Sequence, residues 1–365
     1  MESINLIPSF LPIGISSPPA LFVFFLTFTF FLHIIFVNLT LGGSLLLLTS
    51  KYISKVYGDN NYNMIAEELG YLNTFNISLT VTTGVAPLLF IQTIYGNFFY
   101  TSSVLLSFKW LFVLAAVIFA YYFYYLYKMK PLYIRYSGGK GIIFIVFAAL
   151  LFLYVAFMLV SNTVLSTHPE AWKEVYLNKR AFFDLPTLLP RYIHFVFAAT
   201  AFAGLFLMVY SRMKKSFSKE LKEKMYSFGK KSFFIVTLAQ IPVGIWLLLS
   251  HEKEIMMLLM GGSLLGTISF IIALVAAISA LVVIMLKKDN IYLLTGIGVA
   301  IIIFMVLIRR VIENGYFSKY VNIYNMETNP QWGIFAIFLL LLLAVLGIIG
   351  FTLFKINREL KPKNK

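Results

Sequence analysis

Long runs of apolar residues, each about as long as a bilayer-spanning helix, alternate with short polar stretches along the whole chain. A helix needs about 20 consecutive apolar residues to cross the hydrocarbon core of a membrane. On this criterion we predict nine membrane-spanning helices, at residues 18–50, 70–96, 102–128, 141–166, 187–211, 231–250, 258–286, 290–312 and 332–356. The pattern therefore predicts an all-α polytopic membrane protein, residues 1–365 forming a single membrane domain that ends in a basic tail at 357–365.

The first apolar run is predicted to be a membrane helix and not a cleaved signal peptide. It is longer than the apolar core of a signal peptide, and no basic region precedes it. Ser17 followed by Pro18 is instead typical of a helix start.

Basic residues are unevenly distributed among the connections between the spans. Of the 30 Lys and Arg residues, 21 lie after odd-numbered spans or in the tail. The positive-inside rule then places the N-terminus outside and the C-terminus in the cytoplasm. The net charge of +15, concentrated between Arg212 and Lys231 near anionic lipid, thus reflects membrane topology and indicates no nucleic-acid partner.

Composition excludes several classes of protein. With 60% hydrophobic and 12% charged residues and a mean hydropathy of +0.86, the chain is far from a soluble domain. The absence of cysteine excludes a disulfide, a thiolate metal site and a covalently attached c-type heme. Nucleotide-binding and hydrolase motifs are also missing.

An internal repeat is visible at an offset of about 160 residues. In span one, "LHIIFVNLTLGG" places His33 nine and ten residues before two glycines, and in span five "IHFVFAATAFAG" places His194 nine and ten residues before Ala-Gly. Span three weakly echoes span seven, so the repeats run parallel. We therefore predict one four-helix bundle at 18–166, a second at 187–312, and a ninth helix at 332–356.

The two matched histidines are the leading candidates for chemistry. A histidine inside a membrane helix is costly without a partner, and a neutral imidazole is a common axial ligand of heme iron. The small residues that follow each histidine would let a flat ligand or another helix approach closely. We predict that His33 and His194 bind heme iron; the alternative is a hydrogen bond to a neighbouring helix.

Methionines at the predicted start of span seven could supply a second iron ligand. Met256, Met257 and Met260 lie just below the outer surface. A thioether opposite histidine is an established axial pair, although methionine more often fills a core.

Charged residues gather on the same side of the membrane. Arg309 and Arg310, with Arg191, could neutralise heme propionates, and Glu313 could ligate iron or relay protons. The alternatives are interfacial placement of the long side chains or a surface ion pair.

Three further polar residues lie in or near the spans. Lys109 is predicted some eight residues inside span three, where it would need a carboxylate, a propionate or water. His168 and His251, at the outer ends of spans four and six, are predicted to be interfacial residues.

Four segments together resemble subunit I of the cytochrome bd-type oxygen reductases: "FFLHIIFVNLTLGG", "FNISLTVTTGVAPLLFIQTIYGNFF", "SNTVLSTHPE" and "LLPRYIHFVFAATAFAGLF". The resemblance covers most of the first 250 residues. It implies that His33 holds a high-spin heme and His194 the low-spin b heme. The family's second low-spin ligand aligns with Leu258, so Met257 or Met260 would have to replace it.

The resemblance also carries departures from the family. Glu313 followed by Gly315 resembles the start of the family's Glu-x-Gly-Arg-Gln-Pro segment, but the rest is missing. The two third-helix carboxylates that carry protons in the family align with Lys109 and Val117. The long outer quinol loop is reduced to "SHEKE", ending at Glu254.

We therefore expect a divergent branch of the superfamily, in a prokaryotic plasma membrane. The chain would be a heme-binding electron-transfer subunit of a respiratory complex, with one to three b hemes and with electrons exchanged at the outer face. Expected partners are lipid, a second membrane subunit, cytochrome c and, at another site, quinone. One alternative is a heme-free structural or transporter-like scaffold; another is a terminal oxidase that reduces oxygen.

Overall fold

The structure, a computed structural model, describes residues 7, 14–129, 141–286 and 290–359. Nine long helices lie in this part of the chain, α1 to α9: Pro19–Tyr57, Asn60–Leu106, Phe108–Lys128, Ile142–Ser166, Leu188–Met213, Lys219–Leu249, Leu264–Met285, Ile291–Phe317 and Trp332–Glu359. Shorter helical turns follow α4 (Pro169–Ala171, Trp172–Tyr176 and Phe182–Asp184), α6 (Lys253–Met257 and Leu258–Gly262) and α8 (Ile323–Asn325).

Eight of these helices, α1 to α8, are long and apolar enough to cross a bilayer. The prediction of an all-α polytopic membrane protein is thus confirmed. The predicted ninth span coincides with α9, whose shorter apolar stretch is Trp332–Leu341, and its crossing of the membrane stays a prediction. Most of the predicted basic tail, residues 360–365, lies outside the described residues.

The predicted start of the third span is wrong. Helix α2 is kinked at Tyr95, where φ is −124° and ψ is 30°, and ends at Leu106; α3 begins only after Ser107, whose φ of 54° breaks the helix. The polar stretch taken for the start of span three is helical, and the hydroxyls of Thr101, Ser102 and Ser103 each donate to the carbonyl four residues earlier, so they need no partner outside the helix.

Consecutive helices pack as antiparallel pairs: α1 with α2, α3 with α4, α5 with α6, and α7 with α8. The first helices of the two predicted bundles, α1 and α5, meet at the centre. There a Cβ on Gly42 would lie only 2.8 Å from the Cβ of Ala203, so glycine is required for this approach. The division into two duplicated bundles remains a prediction.

The connections sort to two ends of the bundle. At one end, the N-terminal segment pairs with the α8–α9 connection: the amide of Ile15 donates to the carbonyl of Glu327 over 2.9 Å, and the amide of Asn329 donates to Ile15 over 2.8 Å. At the other, Lys224 Nζ lies 2.8 Å from Asp59 Oδ2 and joins the start of α6 to the α1–α2 turn. We call the first end the outer end, after the orientation predicted from charge.

Candidate functional site

His33 lies in the outer half of α1 and faces α2. A Cβ on Gly84 would stand 2.7 Å from His33 Cε1, so the imidazole occupies the space that a side chain at position 84 would take. Thr83 Oγ1 lies 3.4 Å from Nδ1, at the long limit of a hydrogen bond. The ring is therefore held between two helices with few polar contacts.

His194 occupies the corresponding place between α5 and α6. A Cβ on Gly244 would stand 3.4 Å from its Cε1. Gln240 Nε2 lies 3.4 Å from His194 Nε2, at the long limit of a hydrogen bond. Nδ1 is buried and has no hydrogen-bond partner. A buried ring nitrogen without a partner is costly, so this atom is a candidate ligand atom.

The two histidine–glycine pairs are related by the offset of the sequence repeat: 161 residues separate the histidines and 160 separate the glycines. The sequence analysis found His33 and His194 but missed Gly84 and Gly244. A signal was present, because each glycine lies within three residues of a proline inside its helix. Extending the repeat to the even-numbered helices would have found them.

A cleft opens between α1 and α8 near His33. It is lined by Leu26, Thr27, Phe30, Val306, Arg309, Arg310 and Glu313. Phe30 precedes His33 by one helical turn and so lies on the same side of α1. The charge of Arg309 also acts on the imidazole of His33. The structure thus brings together four of the predicted site residues, one histidine with three charged groups of α8.

Positive charge exceeds negative charge around this cleft. Arg309 Nη2 lies 2.7 Å from Glu313 Oε1, and Arg310 Nη2 donates to the hydroxyl of Tyr95 over 2.6 Å. Arg310 Nη1 is buried without a hydrogen-bond partner. Arg191, at the start of α5, interacts electrostatically with the same glutamate and with Arg309. Three guanidinium groups and one carboxylate leave this region with an excess of positive charge. An anionic ligand would compensate that charge, since an uncompensated buried charge is strongly unfavourable.

The two predicted methionine ligands lie between α6 and α7. Met257 ends a short helix, and Met260 lies in the following π-helical turn, where Gly261 has a φ of 115°. Their side chains are 42% and 54% exposed. Leu258 between them packs towards α8, where a Cβ on Gly315 would stand 2.5 Å from its Cδ1. An iron-ligand role for either methionine stays a prediction.

Lys109 does not lie deep in a helix. Because α3 begins at Phe108, Lys109 is its second residue and is exposed, with its ammonium 5.7 Å from the ring centre of Phe182. Its backbone carbonyl accepts a hydrogen bond from Tyr154. The expected burial of this cation inside a span is therefore wrong, and its contacts are with residues outside the predicted site.

The histidines predicted as interfacial, His168 and His251, lie at the outer ends of α4 and α6 but are only 8% and 7% exposed. Both rings pack against Tyr316 of α8, with centroid distances of 4.8 and 5.8 Å. His251 Nδ1 lies 3.0 Å from the Tyr316 hydroxyl. Burial lowers the pKa of His168 and lowers the pKa of His251 to about 3, so both imidazoles are neutral near pH 7.

Comparison with known proteins gives a structural likeness. No model of a protein family matches the sequence, and no curated protein matches it either. Among solved structures, the bd oxidase from Geobacillus thermodenitrificans superposes with a TM-score of 0.72. The chain has a bd oxidase-like fold. The match covers 94% of this chain and 99% of the other, at 14% sequence identity, which confirms the expected fold alone.

Proposed function

We propose that the chain is a heme-binding electron-transfer subunit of a prokaryotic respiratory complex, similar to subunit I of the bd-type oxygen reductases. One observation carries the proposal: two histidines at equivalent places in the fold, each lodged against a glycine of the next helix. A chain with no cofactor would have no need to keep an imidazole nitrogen of His194 buried and unpartnered. The bd oxidase-like fold supports the same conclusion.

The residues present fit one to three b hemes. His33 and His194 would each hold an iron atom through a ring nitrogen, and Arg309, Arg310 and Arg191 would bind propionates. The orphaned Nδ1 of His194 and the excess of buried positive charge are the features that fit such a group. When bound, a heme supplies reversible one-electron transfer.

The second iron ligands would come from the methionines between α6 and α7 and from Glu313 of α8. Met257 or Met260 would serve the iron held by His194, and Glu313 would serve the iron of a further high-spin heme, distinct from the one held by His33. Glu313 is suited to this because it is buried beside the cleft and its Oε2, 3.6 Å from Arg310 Nη1, is less engaged than Oε1, which is paired with Arg309.

Several side chains that line or adjoin the cleft between α1 and α8 would control its water content and charge. Phe30 lies 3.9 Å from the guanidinium of Arg309 and excludes water from that side of the cleft. Fixed positive charge from Arg309 and Arg310 stabilises any group that gains an electron nearby, which raises its reduction potential. Tyr95 fixes one guanidinium in place through its hydroxyl.

Electrons would be exchanged at the outer end of the bundle. The α6–α7 connection holds only a five-residue helix and a five-residue turn, so it is too short for a long quinol-binding loop. A cytochrome c or a similar carrier is therefore the proposed redox partner, with a second membrane subunit beside it and lipid around it; quinone would need a different site. Oxygen reduction is not proposed, because Lys109 and Val117 align with the family's proton-carrying carboxylates.

The test is a spectrum of the purified full-length protein. A dithionite-reduced minus oxidised difference spectrum and a pyridine hemochrome assay should reveal b-type heme. His33→Ala and His194→Ala should each remove a different heme species. Phe119→Ala, on the exposed side of α3, serves as a control and should keep the spectrum unchanged.

The outcomes distinguish the proposal from a heme-free scaffold. Absence of b-type absorbance from wild-type protein that elutes as a single folded species would overturn the heme assignment. Loss of the same species in both histidine variants would refute two separate heme sites.

A further inference from the structure

A second cluster of ligand-type side chains lies at the outer end, and Arg191 lies between it and the charges of the His33 cleft, since it interacts electrostatically with both. His168 precedes the turn that follows α4, Glu170 lies within that turn, and Glu252 follows α6. One nitrogen of the histidine and one oxygen from each carboxylate all lie within 4.8 Å of one another. The cluster thus joins segments from the two predicted bundles.

The hydrogen bonds of His168 fix which nitrogen is available. Its Nδ1 lies 2.7 Å from the carbonyl oxygen of Val164. A carbonyl can only accept, so Nδ1 carries the hydrogen and Nε2 carries the lone pair. Nε2 has no hydrogen-bond partner among the described residues. Metal-binding histidines typically donate their other N–H to a backbone carbonyl in this way.

The two carboxylates are also oriented by neighbours, both from the outer end of α8. Tyr320 donates its hydroxyl to Glu170 Oε2 over 2.8 Å, and Lys319 Nζ lies 2.5 Å from Glu252 Oε2. In each carboxylate one oxygen is engaged, and the other oxygen can bind a ligand. Such outer contacts hold ligating carboxylates in place in metal sites.

An independent observation points to the same place. His251, the residue before Glu252, is more than nine-tenths buried, yet its Nε2 has no hydrogen-bond partner. Its ring lies against the same Tyr316 ring that His168 contacts. Two buried imidazoles with unpartnered Nε2 atoms therefore contact one tyrosine, and of the two His168 belongs to the group of close ligand atoms.

We propose that His168, Glu170 and Glu252 bind a divalent transition-metal ion, for which Zn²⁺ is the natural probe. Two carboxylates balance the charge of such an ion once Lys319 releases Glu252, and the imidazole favours Zn²⁺ over Mg²⁺ or Ca²⁺. Ligand atoms about 2.1 Å from the metal in tetrahedral geometry are separated by about 3.4 Å. The exposed glutamates need only small rotations to reach that spacing from 4.8 Å or less.

Binding would clamp the outer end of the bundle. The ion would link the end of α4 to the α6–α7 connection and, through Tyr320 and Lys319, to the end of α8. Lys319 competes for Glu252 and lowers the affinity. Removal of this lysine therefore strengthens binding, in contrast to removal of either glutamate.

The experiment is a Zn²⁺ titration of the full-length protein in detergent, free of a histidine tag and treated with a chelator. Isothermal calorimetry and metal analysis after desalting should give one saturable site in wild type. Glu170→Gln and Glu252→Gln should each weaken binding at least about tenfold, and Lys319→Met should strengthen it. Glu254→Gln is the matched control: it removes the same charge two residues away, and its carboxylate lies 3.8 Å from Lys319 but outside the cluster.

Zn²⁺ affinity and melting temperature can be measured whether or not the protein contains heme. The result therefore does not depend on the function proposed above. Zn²⁺ should also raise the melting temperature of wild type and of Glu254→Gln, but not that of Glu252→Gln. Equal affinities for Glu252→Gln and Glu254→Gln, or unsaturable binding in wild type, would overturn the proposed site and leave adventitious surface binding.

Discussion

Replacing Gly84 by alanine should displace His33, whereas the same change at Gly244 should leave His194 in place. The added Cβ would stand 2.7 Å from Cε1 of the first histidine and 3.4 Å from Cε1 of the second. Carbon atoms pack best about 3.5–4.0 Å apart, so His33 must retreat by roughly 0.8 Å or more, and His194 by only about 0.1 Å. The two substitutions are chemically identical and differ only in this distance.

The two alanine variants should also differ in their free energy of unfolding. Alanine in a helix interior is about 1 kcal/mol more favourable than glycine, whereas overpacking costs about 1–3 kcal/mol. We expect Gly244→Ala to be neutral or more stable than wild type, and Gly84→Ala to be less stable than Gly244→Ala by about 1–3 kcal/mol. Thermal unfolding of the two purified proteins in one detergent measures this difference.

A spectrum provides the second measurement. If His33 binds heme, Gly84→Ala should shift or weaken the band lost in His33→Ala, and Gly244→Ala should leave all bands unchanged. Equal melting temperatures together with identical spectra for the two alanine variants would refute the packing of His33 against Gly84.

Three further predictions concern single side chains. Glu313→Gln removes the carboxylate that compensates Arg309 and should destabilise the protein by about 3 kcal/mol in thermal unfolding; an unchanged melting temperature would contradict the ion pair. Tyr124→Phe removes a buried hydroxyl that is hydrogen-bonded to Ser44 over 2.6 Å and to Asn73 over 3.0 Å and should cost about 1–3 kcal/mol; a neutral effect would show that these two bonds contribute no net stability. Lys109→Ala should change stability by less than about 0.5 kcal/mol and leave the heme spectrum unaltered, since this side chain is exposed. Loss of a heme band would show that Lys109 contributes to heme binding.

The membrane-spanning helices were predictable because a bilayer requires long apolar runs, and each of the first eight predicted spans overlaps one of α1 to α8. Their ends were predicted less well: α2 extends ten residues beyond its predicted span at each end, α6 begins twelve residues before its span, and α7 begins six residues after the start of its span. The failure at Lys109 has a local cause. The hydroxyls of residues 101–103 donate to backbone carbonyls, which lets this polar stretch remain in a helix, and the turn depends on one residue, Ser107, with positive φ. Polar composition alone does not distinguish such a stretch from a loop.

The site was predictable only in part. His33 and His194 stand out because imidazoles are rare within apolar runs, and the charges near Glu313 stand out for the same reason. The cluster around Tyr316 combines residues from three distant segments that are individually ordinary interfacial residues. Its buried histidines could not be told from surface histidines until the helices were packed together.

The pairing of Ile15 with Glu327 has a consequence for biogenesis. The two residues are 312 positions apart, and translation proceeds at about 5–20 residues per second, so the N-terminal segment waits roughly 15–60 s for its partner to be synthesised. The outer rim is therefore closed late, after most helices have left the ribosome. In a nascent chain arrested before residue 327, an external protease should cleave the segment at Ile15 and Ser16 faster than in the finished protein.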